Sequence, residues 1–110
     1  MNKVDLSAAP TSADEHLQNV IKNENACVKD RNMVLRRIIT DLENHLELDD
    51  DYQKALEILL SSVSNMTGCE KYFYEVMIAL HVYGNAEQKQ LAEKFHVLVY
   101  GTKSHNWNSY

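Results

Sequence analysis

The side chains in this sequence that could do chemistry are five histidines, two cysteines and a run of acids around residue 49. Asp41 and His45 stand four apart. On a helix that spacing puts a carboxylate and an imidazole on one face, where a second helix could complete a divalent-metal site. Glu43 and Glu47 repeat the spacing. A solvated helix face has the same pattern, however, and no HExxH, His–Cys or CxxC motif adds ligands. No metal or other cofactor is therefore expected. His16, His45, His81, His96 and His105 fall in different expected elements, and Tyr74 with His81, seven apart, suits a half-buried hydrogen-bonding pair better than an acid–base site. Nucleophilic catalysis has no support, because GxSxG is missing and neither Cys27 nor Cys69 has a base at a fixed spacing. The three glycines stand alone at 68, 84 and 101, which leaves no phosphate-binding loop. The chain is not expected to be an enzyme.

Charge is the stronger signal. The formal net charge is −5, and it is unevenly spread. Residues 31–40 hold three arginines and no acid, whereas residues 41–57 hold seven acids against Lys54 alone. Residues 58–68 carry no charge. Nucleic-acid binding needs a basic face that displaces counterions from phosphate, so that class of partner is not expected. Arg31, Arg36 and Arg37 could open a DNA-recognition helix, but the same helix turns acidic one turn later. An acidic corner fits a basic protein, whose lysines and arginines it would steer and hold in register. Glu43, Glu47, Asp49, Asp50 and Asp51 are the residues expected to meet that partner, with Tyr52 as an aromatic anchor beside them.

The elements that must carry these residues are helices. Only 3 Gly and 1 Pro occur in 110 residues, too few turn-formers for a many-stranded sheet. This length is enough to bury a core without staples. No apolar run approaches the ~20 residues that span a bilayer, and the first residues lack the apolar stretch of a secretory signal. The cytoplasm is the expected compartment, with both cysteines reduced and packed as small hydrophobes.

The spacing predicts an all-α fold, a single compact antiparallel bundle of four to five helices. A short flexible arm over 1–11, ended by Pro10, precedes the bundle at 12–101, and a polar tail follows at 102–110. Ser12 to Glu15 reads as a capping box that opens the first helix. The apolar stripe then keeps phase so far that residues 13–48 could be one helix. That would span about 54 Å at 1.5 Å per residue, so a break is placed near 24–30, with Asp30 as N-cap of the second helix. That helix, roughly 31–47, turns Leu35, Ile38, Ile39, Leu42 and Leu46 inward. An aspartate among 49–51 caps the third, 51–66, which buries Tyr52, Ala55, Leu56, Leu59, Val63 and Met66.

The stretch from Cys69 to Gly84 is the expected centre of the bundle. It is apolar nearly all round, with Cys69, Phe73, Val76, Met77 and Leu80 in one stripe and Tyr74, Ile78 and Val82 on the other side. Thr67 to Glu70 reads as its capping box, and Asn85 to Gln88 as that of the last helix, 86–100, which faces inward with Leu91, Ala92, Phe95, Leu98 and Val99.

Three functional readings follow. The first is an inhibitor or immunity-type protein that neutralises a basic, nuclease-like partner through its acidic helix corner. The second is a secretion chaperone or adaptor that takes a partner helix in an apolar groove on the central helix. The third is a metal protein or enzyme using Asp41 and His45. A homodimer hiding the second face of the central helix is compatible with each, and Trp107 and Tyr110 in the tail either fold back or serve a partner.

Overall fold

The computed structural model describes residues 8–22 and 26–101, with side chains from Glu15 onward. These residues form an all-α bundle: α1 (Ala8–Lys22), α2 (Val28–Glu43), α3 (Asp50–Leu59), a 3-10 turn (Val63–Met66), α4 (Glu70–Tyr83) and α5 (Ala86–Tyr100). No strand occurs among the described residues. Helix α2 packs against both α1 and α4, α1 also covers α3, and α5 lies along α4 and reaches the 3-10 turn. Residues 1–7 of the expected arm and the tail with Trp107 and Tyr110 lie outside the described residues.

The core is continuous through all five helices, from Val20 to Leu35, Ile38, Leu56, Leu59, Phe73, Met77, Leu80 and Phe95. Phe73 and Phe95 join α4 to α5, with ring centroids 5.4 Å apart and planes tilted by 33°. Each such side chain contributes about 1.5–3 kcal/mol through burial alone.

The break between the first two helices is held by a buried carboxylate. Asp30, the expected cap of α2, sits inside its first turn, and Cys27 takes the N-cap position with an extended backbone. The Asp30 side chain instead crosses to α1. His16 Nδ1 lies 2.7 Å from it, Asn19 donates to both oxygens at 3.3 Å, and the Cys27 thiol donates at 3.3 Å. Arg31, next along α2, ties the same corner to α4 by donating to the carbonyls of Ala26 and Thr67. Cys27 is exposed rather than packed away, while Cys69 is buried, and both thiols are free.

Four other boundaries differ from expectation, each for a local reason. α1 begins at Ala8, so Pro10 lies in its first turn, where no amide needs a partner and the fixed φ suits a helix. The capping box expected at Ser12 therefore falls within the helix. α2 stops at Glu43 rather than 47. His45 adopts φ 60°, and the amides of His45 and Leu46 return to the carbonyls of Leu42 and Asp41, a Schellman closure made without glycine. Leu46 is consequently 56% exposed instead of facing inward. α3 stops at Leu59, because Ser61 Oγ takes the Ile58 carbonyl at 2.6 Å and Asn65 Nδ2 takes those of Ile58 and Leu59. Val63, beyond that stop, is exposed. α4 opens at an N-cap Cys69 with no side-chain cap, and Glu70 accepts from the Gly68 amide at 3.3 Å in place of a capping box. Gly68 has φ +81°, and a Cβ there would stand 2.8 Å from a Val28 methyl, so glycine is required on both counts.

This packing makes two stability changes measurable. Phe73→Ala should cost about 3–5 kcal/mol, read from a denaturant melt, since it empties the α4–α5 contact. The second concerns Asp30, whose carboxyl burial alone would raise. The hydrogen bonds from His16, Cys27 and Asn19 and a backbone donor at Cys27 together outweigh burial and hold it below its ordinary value. A lowered folded value means that the stabilisation is present above the ordinary carboxylate range, near 3.9, and is lost as the pH falls through the folded value. Asp30→Asn should therefore cost about 1–3 kcal/mol near neutrality. The gap to the parent protein should close in melts taken below about pH 4.

Candidate functional site

One end of the bundle gathers the end of α2, the loop to α3 and the α4–α5 junction. The Schellman turn at His45 ends α2 abruptly and carries the chain out through Leu46 and Glu47 to Asp49, the N-cap of α3. On the facing side Asn85 closes a full capping box with Gln88: the Asn85 side chain accepts from the Gln88 amide at 2.8 Å, and Gln88 Oε1 accepts from the Asn85 amide at 3.0 Å. Gln88 is buried, and its Nε2 donates to Gln53 Oε1 of α3 at 3.1 Å, so the two sides are joined below the surface. Between them lies a recess of about 460 Å³ whose walls include His45, Glu47, Asp50, Tyr83, Asn85 and Glu87. The His45 and Tyr83 rings meet edge to face with centroids 5.4 Å apart.

The structure treats the expected partner-binding residues unequally. Glu47 and Asp50 line the recess, while Glu43, Asp49 and Asp51 are exposed beside it on the ends of α2 and α3. Tyr52 is only 6% exposed, so it belongs to the core and is not open to a partner as an anchor. Its ring lies under Arg37, with the guanidinium carbon 5.1 Å from the centroid. Asp41 above all raises the Arg37 guanidinium beyond its usual value, against burial, with Tyr52 and Asp49 adding smaller effects. Asp49, exposed beside the recess, is thus also close enough to Arg37 to act on its charge. Glu87 is not among the residues expected from sequence. It sits in the first turn of α5, two residues after the Asn85 cap, so knowing which helix ends share one pole of the bundle would have found it.

The helical spacing expected to put Asp41 and His45 on one face is not kept. His45 lies past the end of α2 in a left-handed turn, so the helical spacing that joined the two does not apply. Asp41 is buried and accepts from Arg37 Nε at 3.2 and 3.3 Å. Among the described residues no group of three His, Cys, Asp or Glu side chains could hold a metal.

The outer side of α4 is a second surface. Tyr74, Ile78 and Val82 are 38%, 39% and 57% exposed and form a stripe along it. The Tyr100 and Tyr74 hydroxyls share a hydrogen bond at 3.4 Å, which together with the charge of Tyr100 and burial holds the Tyr74 hydroxyl above its ordinary pKa, and the His96 ring lies 4.4 Å from that of Tyr100. On α5, Leu98 faces solvent rather than the core. No described helix is long and apolar enough to cross a membrane. Comparison of the chain with protein-family models, with curated proteins and with solved structures finds no match.

The acids at the pole are exposed, and the Asp49 side chain makes no cap hydrogen bond. Asp50 and Asp51 favour the α3 dipole by about 0.3–1 kcal/mol each. Replacing Asp49, Asp50 and Asp51 together by Asn should therefore cost less than about 2 kcal/mol in a thermal melt and leave the helical circular dichroism spectrum unchanged.

Proposed function

We propose that this chain is a small acidic binding module acting in the cytoplasm, an inhibitor or immunity-type protein that neutralises a basic, nuclease-like protein with the acidic pole of its bundle. The observation that carries this reading is the convergence of Glu47, Asp50 and Glu87 on one recess, with Glu43, Asp49 and Asp51 exposed around it. Negative charge so grouped raises the local concentration of a cationic partner and speeds its encounter. A concave wall with two rings at its mouth, His45 and Tyr83, gives a lysine or arginine stem an apolar surface to lie on. Such a role needs a rigid scaffold and an oxyanion-rich surface like that of nucleic-acid phosphate, and no catalytic group.

The exposed stripe of Tyr74, Ile78 and Val82 favours a second reading, an adaptor or chaperone whose partner lays a helix along α4. Salt separates the two, because screening weakens exposed charge pairs and leaves apolar burial nearly intact. The test is an affinity capture from the native host. A triple variant carrying Asp49→Asn, Asp50→Asn and Asp51→Asn is run beside the parent, and both are eluted in salt steps. The acidic-pole reading expects a basic protein that leaves at moderate salt and binds the triple variant about tenfold or more weakly in a direct titration. A partner held equally by parent and variant, and kept at high salt, would end that reading in favour of α4.

A further inference from the structure

Phe73, Val76, Met77 and Leu80 hold α4 in the core, so its outer face is a rigid seam. Tyr74, Ile78 and Val82 run along that seam at helical spacing, with Glu75 and His81 between them. Tyr74, Ile78, His81 and Val82 are exposed and Glu75 is half-buried. The seam is complementary to its own reverse about Ile78. Tyr74 and Val82 stand four residues on either side, a large ring and a small side chain. Glu75 and His81 stand three on either side, an acceptor and a donor. An imidazole carries an N–H in either protonation state. Two copies of α4 laid antiparallel, with a twofold axis at Ile78, therefore set each Tyr74 ring against a Val82 and each Glu75 opposite a His81. Contacts in which residue i meets j and j meets i are what a twofold interface consists of.

Charge selects this direction. Each copy carries a formal charge of −5, and the recess with Glu47, Asp50 and Glu87 lies at the Tyr83 end of α4. Tyr83 is five residues past Ile78, so at 1.5 Å per residue an antiparallel pair sets the two acidic poles about 15 Å apart along the axis. That is about two Debye lengths at physiological salt, and their repulsion is screened. A parallel pair would bring the poles side by side at a helix spacing of about 8–10 Å. It would also stack Glu75 on Glu75 and His81 on His81, where like groups repel.

Area sets the strength. Tyr100 continues the seam onto α5 through its hydrogen bond to Tyr74. The exposed parts of Tyr74, Ile78, Val82 and Tyr100 amount to roughly 400 Å², about half of the ~800 Å² that each partner buries in a standard interface. The stems of Glu75 and His81 supply a rim. A contact of this size suits a weak, concentration-dependent pair rather than an obligate one. We propose that the outer face of α4 is the twofold interface of a weak antiparallel homodimer, centred on Ile78, with Tyr74 on Val82 and Glu75 paired with His81 across the axis. A foreign helix on α4 and the second copy exclude one another, whereas the function proposed for the acidic pole does not depend on this pairing.

The test is sedimentation equilibrium of the full chain from about 10 µM to about 1 mM, for the parent and for Ile78→Glu. The parent should pass from 12.7 kDa towards twice that mass with a Kd of about 100 µM. Ile78→Glu sets two carboxylates against each other on the axis and should remain at 12.7 kDa, with the circular dichroism spectrum unchanged because Ile78 is exposed. Disulfide capture reads the direction, and decides the matter alone should Ile78→Glu fail to fold. It is run in a Cys27→Ser background, which keeps a donor to Asp30. Ile78→Cys lies on the axis and should cross-link to its copy under a mild oxidant. Tyr74→Cys should not, because its copy is displaced by about 12 Å along the axis, beyond disulfide reach. The proposal fails if the parent stays at 12.7 kDa at about 1 mM, if Ile78→Glu dimerises as the parent does, or if Tyr74→Cys cross-links as readily as Ile78→Cys. A monomeric parent in which Ile78→Glu shifts the emission of Trp107, the single tryptophan, to the red would overturn it in favour of the chain's own tail as occupant of the seam.

Discussion

Helix α2 has to be held in register against α1 on one side and α4 on the other, and polar contacts at its ends achieve this. At its start, the Asp30 carboxylate collects donors from His16, Asn19 and Cys27, while Arg31 reaches the carbonyl of Thr67 just before α4. A buried carboxylate with three side-chain donors has few alternative arrangements, because leaving that buried acceptor without its donors costs about 1–3 kcal/mol. Apolar packing alone would tolerate a shift of α2 along its neighbours, since Leu, Ile and Val surfaces are interchangeable at modest cost. The Asp30 and Arg31 contacts would not tolerate it, so the position of every residue further along α2, including those at the acidic pole, follows from this corner.

The parts of the fold legible in the sequence were those with a local chemical marker. Asn85 and Gln88 read as a capping box and form one, and the inward faces of Phe73, Val76, Met77 and Leu80 follow from spacing alone. The boundaries that differed were made by residues with no such marker. His45 in a left-handed turn does what glycine usually does, and Ser61 and Asn65 end α3 with side-chain hydrogen bonds that depend on the turn already being formed. Asp30 looked like a cap because caps are the common use of aspartate near a helix start. Its real partners on α1 lie 11 and 14 residues away and could be assigned only once the helices were packed. The acidic residues of the site were likewise legible as charge, but Glu87 and the His45–Tyr83 contact required knowing which helix ends share a pole.

Tyr52 shows how burial and charge constrain one another here. Read from the sequence it belonged both to the buried stripe of α3 and, next to three aspartates, to the expected partner surface. Buried, it supports Arg37, and Arg37 pairs with Asp41 while also feeling Asp49. The acidic pole and the Arg37 guanidinium are therefore adjacent and electrostatically linked, and the positive group next to the pole limits how far the acidic field extends along the helix.

That adjacency bears on how the two outer surfaces could serve one partner. Charges at the pole act over about a Debye length, ~8 Å at physiological salt, and so would govern the approach of a charged partner. The stripe of Tyr74, Ile78 and Val82 acts only on contact and would govern how long a complex lasts, as apolar burial does. The stripe runs the length of α4, whose last residue, Tyr83, lines the acidic recess. A partner steered to the pole would thus arrive at one end of the helix that exposes the stripe of Tyr74, Ile78 and Val82. Encounter by charge followed by extension along α4 would use both surfaces in sequence. In that order the salt sensitivity would reside in the association rate, and dissociation would depend on Ile78 and Val82.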